Sequence, residues 1–139
     1  MYKAIEIAKY IINKCTVECH PISNLQLQKI LYYVQKSFLQ VGKMAFNDEI
    51  EAWQFGPVVR EVYNQYCGFG ASKIRLFYDI VIDEYYKSMI DPIVREKRDL
   101  DPWVMVDDTH RKGKAWDIIY SNGQGNHKVI PRELIMDKG

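Results

Sequence analysis

The stretch from Ser23 to Gly42 constrains this chain more than any other. Leu27, Ile30, Leu31, Val34, Phe38 and Val41 recur at steps of three and four, the spacing that turns one face of an α-helix toward a core. Gln26, Lys29, Tyr33, Lys36 and Gln40 form the opposite stripe, which the pattern assigns to water. Ser23 or Asn24 supplies a cap for the first turn and Gly42 a stop. Such a helix cannot bury its apolar stripe by itself, so the rest of the chain has to be built around it.

The remaining pattern is also largely helical. A first helix is predicted over roughly Lys3–Lys14, with Ala4, Ile5, Ala8, Ile11, Ile12 and Cys15 on one face. Ile7 lies off that face, which suggests cover on more than one side. Met44 to Phe55 reads as a short extended segment or hairpin that ends at Trp53, with Asn47-Asp48 as a turn. Gly56-Pro57 follows, and Pro is favoured at a first helical position, so a third helix is expected from Pro57 to about Cys67. Residues 71–82 alternate like a strand without an evident partner, and read as an extended connection. A helix over Asp83–Arg98 has Pro92 either kinking it or starting a new one. Asp101-Pro102 opens another, to about Asp108. A short strand at Lys128–Ile130 precedes a last helix opened by Pro131. The fold class is therefore mainly α: a compact single-domain helical fold of six or seven helices with a small β-hairpin or short strands. Residues 1–139 read as one domain.

Charge and composition exclude several functions. Nineteen Lys/Arg oppose eighteen Asp/Glu, a formal net charge of +1. That lacks the basic surplus a phosphate-binding surface needs. Between Asp91 and Lys114 six basic residues face six acidic ones, a mixed solvated surface. Direct nucleic-acid binding is not favoured. No apolar run approaches the ~20 residues that span a bilayer, and the charged N-terminus is unlike a signal peptide, so no membrane is expected and the cytoplasm is the compartment. Three cysteines, Cys15, Cys19 and Cys67, make no disulfide framework. Cys15, Cys19 and His20 lack the second ligand pair of a zinc site, so no metal and no cofactor are expected, and the thiols read as buried or half-buried. Aromatic content is high at 13%, with ten Tyr, which suits half-buried surfaces and interfaces.

Candidate chemistry is sparse. Asp108 and His110 invite an acid–base reading, as in a small hydrolase or nuclease, because a carboxylate can orient an imidazole. No nucleophile in a recognisable turn accompanies them, and no catalytic residue is assigned. The alternative is that Thr109 and His110 end a helix. "GFG" at 68–70 and "GQG" at 123–125 lack the context of a phosphate loop and read as turns. Trp53, Trp103 and Trp116 are the large apolar anchors, either core or contact surface.

Three pieces stand in order: "LQLQKILYYVQ" (25–35), "IEAWQFGPVVREVYNQYCGFG" (50–70) and "THRKGKAW" (109–116). Together they resemble the Panacea domain, also described as SocA-like antitoxin or phage-associated protein, over about residues 4–136. One departure is Ala115, where family members often carry Pro before the closing Trp. The resemblance implies a mainly helical, non-enzymatic module that neutralises a co-encoded protein toxin by direct contact. A proteolytic adaptor or phage-associated regulatory protein is the alternative it leaves open. The ordered motifs, the aromatic excess and the lack of a catalytic set put the expected partner-binding surface at Glu51, Trp53, Phe55, Gly56 and Pro57, with His110 and Trp116 beside them. The competing reading is that these residues form a core corner.

Overall fold

A computed structural model describes residues 2–139. Helix α2 (Asn24–Leu39) is its axis. Ser23 caps it: its Oγ accepts from the Gln26 amide while the Gln26 side chain accepts from the Ser23 amide, a reciprocal capping box. Around α2 pack α1 (Ala4–Val17), α3 (Arg60–Tyr66), α4 (Glu84–Lys97), α5 (Pro102–Thr109) and α7 (Arg132–Lys138). The core is the α2 stripe Leu27, Ile30, Leu31, Val34 and Phe38 against Ile7, Ala8, Ile11 and Ile12 of α1, closed by Val62, Tyr66, Ile90 and Val94. Among the described residues, seven α-helices and one small sheet match the mainly helical expectation.

The sheet holds β1 (Glu51–Trp53) between β2 (Gly56–Val58) and β3 (Lys128–Val129), all antiparallel. Trp53 pairs with Gly56 and Ala52 with Pro57, so β1 and β2 form a hairpin whose two loop residues are Gln54 and Phe55. Pro57 is tolerable here because β2 is an edge strand, where a missing N–H leaves no ladder bond unmade. Here the structure departs from the expected helix start at Pro57. All three β2 residues are buried, and the amide of Val59 donates to Gln28 Oε1 at 3.0 Å, so α3 begins only at Arg60.

Other departures have similar causes. Gln26 and Lys29, assigned to a wet face, are buried: the hairpin covers Lys29, and the turn between α4 and α5 covers Gln26, whose Nε2 donates to the Arg98 and Leu100 carbonyls at 3.0 Å. Val41 lies beyond the end of α2 and is 55% exposed instead of joining its stripe. Ile7 is fully buried, and Ile5 only partly, so α1 is covered on the flank the pattern flagged. Pro92 lies inside α4, which runs through it. Asp101 caps α5 as expected, accepting from the Trp103 amide. Helix α6 (Ala115–Tyr120) had no clear sequence signal beyond Trp116. Cys15 is buried, but Cys19 and Cys67 are exposed, contrary to the expectation of covered thiols.

Candidate functional site

The three motifs that stand far apart in sequence meet at one corner. From α2 comes Lys29, from the hairpin Trp53 to Pro57, from the end of α5 Thr109 and His110, and from α6 Trp116. Gly56 is the point of closest approach. Its φ of +116° is unsuited to an L side chain, and a Cβ there would lie 2.6 Å from Lys29 Cε, 3.0 Å from its Nζ and 3.1 Å from Thr109 Oγ1. Glycine is the residue that lets the hairpin lie flat on α2 and α5.

Lys29 beneath it is fully buried. Its ammonium has one long contact, Nζ to the Pro57 carbonyl at 3.5 Å. Burial therefore pushes its pKa down to about 7, since little compensates the lost hydration. A helical-wheel argument cannot anticipate this residue, because its stem follows α2 while its head is roofed by a strand from another motif.

His110 caps the C-terminus of α5, as the sequence suggested. Its ring stacks flat on Trp116, with centroids 3.6 Å apart and planes 3° from parallel, and Trp116 stacks in turn on Tyr120 at 4.5 Å. Burial lowers the imidazole pKa, with the nearby Lys29 charge adding to it, which favours the neutral ring. Its Nε2 is buried and has no hydrogen-bond partner among the described residues. The carboxylate of Asp108 is committed elsewhere: Oδ2 accepts from the Tyr33 hydroxyl at 2.6 Å and Oδ1 pairs with Arg111 at 3.0 Å. The acid–base pair suggested by the sequence is thus not assembled.

Trp116 ties the corner to the hairpin. It is 7% exposed, and its Nε1 donates to the Trp53 carbonyl at 2.7 Å. The Trp53 side chain is half-buried, stacked on His127 at 4.3 Å and tilted against Tyr63 at 4.8 Å, with the Arg60 guanidinium over its ring. Glu51 accepts from Trp53 Nε1 at 2.9 Å and from Arg60 Nη2 at 2.8 Å. Partial burial pushes the Glu51 carboxyl up, but the bonds from Arg60 and Trp53 outweigh it and hold the pKa below the usual value.

Phe55 is different. It sits in the hairpin loop, 48% exposed, and meets Trp103 edge to face at 5.3 Å. Trp103, on α5, is 51% exposed. Between them, Trp53, Tyr63, Lys29 and His127 lies a cleft of about 510 Å³. The sequence-named residues therefore divide. Gly56, Pro57 and Trp116 are buried, Glu51, Trp53 and His110 are half-buried, and Phe55 is exposed. Trp103, which the sequence offers as core or contact surface, joins the site together with Lys29, Tyr63 and His127, which it does not offer. Only Trp103 carried a usable signal, a large apolar residue directly after the Pro that opens α5.

Among the described residues no group of three or more His, Cys, Asp or Glu side chains could hold a metal ion, and no helix is long and apolar enough to cross a membrane. Fold and site together define a small helical module with a rigid motif corner and an exposed aromatic rim. The chain belongs to the antitoxin SocA-like, Panacea-domain family, whose model matches residues 27–117. It is similar to antitoxin SocA of Caulobacter vibrioides (strain NA1000 / CB15N), with 32% identity over 138 residues, spanning 87% of this chain and 71% of the relative. No solved structure matches.

Proposed function

We propose that this protein is an antitoxin that acts in the cytoplasm, neutralising a co-encoded protein toxin by direct contact. Family membership supports the antitoxin role. The observation that carries the contact reading is the solvent-facing Phe55–Trp103 pair on the cleft rim, held by a corner that leaves its own residues little freedom. Interface centres are enriched in aromatic anchors seated on preorganised supports. Phe55, Trp103 and the outer face of Trp53 are the contact residues in this reading. Gly56, Pro57, His110 and Trp116 position them, and Glu51 orients Trp53 through its indole N–H.

The test is co-expression with the neighbouring open reading frame, followed by co-purification. A toxic neighbour should be silenced and should elute with this chain. A neighbour that stays toxic, or is silenced without a complex forming, defeats the reading. Recovery of a protease subunit in the complex would instead favour the adaptor role.

A further inference from the structure

Residues 73–83, between the turn after α3 and the start of α4, lie outside every helix and the sheet, with Ile74 in an isolated bridge to Ile22. Ile74 and Tyr78 fasten this strap to the body, and Leu76 between them is exposed. The Ile74 amide donates to the Ile22 carbonyl at 2.7 Å. The Tyr78 amide donates to Asn13 Oδ1 at 2.7 Å, and its carbonyl accepts from Asn13 Nδ2 at 2.8 Å. Ile74 and Ile82 are buried, whereas Arg75, Phe77, Asp79 and Val81 are exposed, Phe77 at 70%.

In extended chain the N–H and C=O of one residue point to the same edge, and the edge alternates with each residue. With residues 74 and 78 bonded to the body, residues 75, 77 and 79 present their backbone groups on the opposite edge. None of those groups has a hydrogen-bond partner among the described residues, and neither Arg75 nor Asp79 makes an ion pair there. An unpaired edge with an exposed aromatic residue is a template for another strand. The straight run ends at Asp79, where the Ile80 amide turns back to the Tyr78 carbonyl at 3.1 Å.

We propose that the edge Arg75–Asp79 pairs antiparallel with the same edge of a second copy, forming a twofold dimer centred on Phe77. The charges select this partner and this register. With Phe77 on the axis, Arg75 of each copy lies opposite Asp79 of the other, and the two phenyl rings meet. A centre at Arg75 or Asp79 would set like charges directly opposite, which is destabilising. A centre at Leu76 or Tyr78 would set Phe77 opposite Arg75 or Asp79 and leave each charge without its counter-charge. The sequence R-x-F-x-D is thus complementary to itself in one register, and a closed twofold contact leaves no edge open to further addition.

The experiment is sedimentation velocity of the full chain over about 1 to 100 µM, since dimer population follows protomer concentration. A monomer–dimer equilibrium is expected. Arg75→Asp alone and Asp79→Arg alone should each weaken it by about tenfold or more, and the double reversal R75D/D79R should recover most of the loss. Phe77→Pro, which removes the central amide, should leave a monomer with an unchanged circular dichroism spectrum. If that variant unfolds, the charge reversals, which lie on an exposed strap, decide. A monomer throughout the range, or a dimer that neither single reversal weakens, overturns the proposal.

Discussion

Trp116 and Trp103 flank the same hairpin and have opposite circumstances. Trp116 is 7% exposed, sandwiched by His110 and Tyr120, and hydrogen-bonded to the hairpin backbone. Trp103 is 51% exposed and touches Phe55 by an edge. The three ordered sequence motifs are therefore heterogeneous. Gly56, Pro57, His110 and Trp116 build a platform, while the hairpin loop and the outer face of α5 are what it displays. This separation gives a direct criterion: substitutions in the platform should register as stability, and substitutions on the rim as binding.

The largest expected effect is that of Trp116→Ala. It removes both stacking contacts and leaves the Trp53 carbonyl without its donor, so a loss of about 3–5 kcal/mol is expected from urea unfolding. A loss under about 1 kcal/mol would place Trp116 on the surface side of the division. Gly56→Ala comes next. The added methyl meets the Lys29 head at 2.6 Å in a backbone conformation suited to glycine, for an expected loss of about 2–3 kcal/mol. A neutral result would mean that the hairpin does not lie against α2 as described.

The difference between the regions also explains what could be read in advance. The long stripes of α1 and α2, the cap at Ser23 and the start at Asp101-Pro102 are local patterns, and local physics fixes them. Gly56-Pro57 was misread as a helix start because the dipeptide suits both a first helical turn and an edge strand. Its choice is made by burial against Lys29 and Thr109, which are distant in sequence. Lys29 was assigned to water for the same reason: a wheel shows which side of a helix a residue takes, but not what covers that side. The ordered motifs did mark the region of the site. Which of their residues are roofed and which are bare depends on α6 and on His127, and neither had a pattern of its own.

Lys29 sharpens the contrast through pH. Its folded pKa is lowered to about 7, against 10.5 for the free group. Between these values the unfolded chain holds a proton that the folded one has released, so stability rises with pH across that window and the destabilisation is complete below pH 7. The slope from this group is at most ~1.4 kcal/mol per pH unit. The cleanest range is roughly pH 7 to 7.5, because above it the unfolded chain's thiols, with an ordinary pKa of about 8.5, ionise appreciably. There they oppose the trend, because burial has pushed the Cys15 thiol up to about 11 in the folded state. Lys29→Met keeps most of the buried stem and removes the ammonium. It should flatten the rise and exceed the wild type by about 1–2 kcal/mol near pH 7, the two converging toward pH 8.5. Parallel curves would mean that the amine is hydrated, and that the cleft reaches further under the hairpin than the structure places it.

The smallest stability effects belong to the rim, and they test the division most severely. Phe55→Ser and Trp103→Ser each remove an aromatic group that is about half in water, so each should shift unfolding by no more than about 0.5–1 kcal/mol. Their double variant should cost less than the sum of the two, because the edge-to-face contact, about 0.5 kcal/mol at the low end for such pairs, is already lost in either single variant. If the rim is the contact surface, the same double variant loses roughly tenfold or more in affinity for the co-encoded protein and fails to protect cells that express it. Isothermal titration against that protein, beside urea melts of the free chain, separates the outcomes. Affinity lost with stability retained places the function on Phe55 and Trp103. Affinity retained would move the contact surface away from the hairpin and leave the motif corner with a purely architectural role.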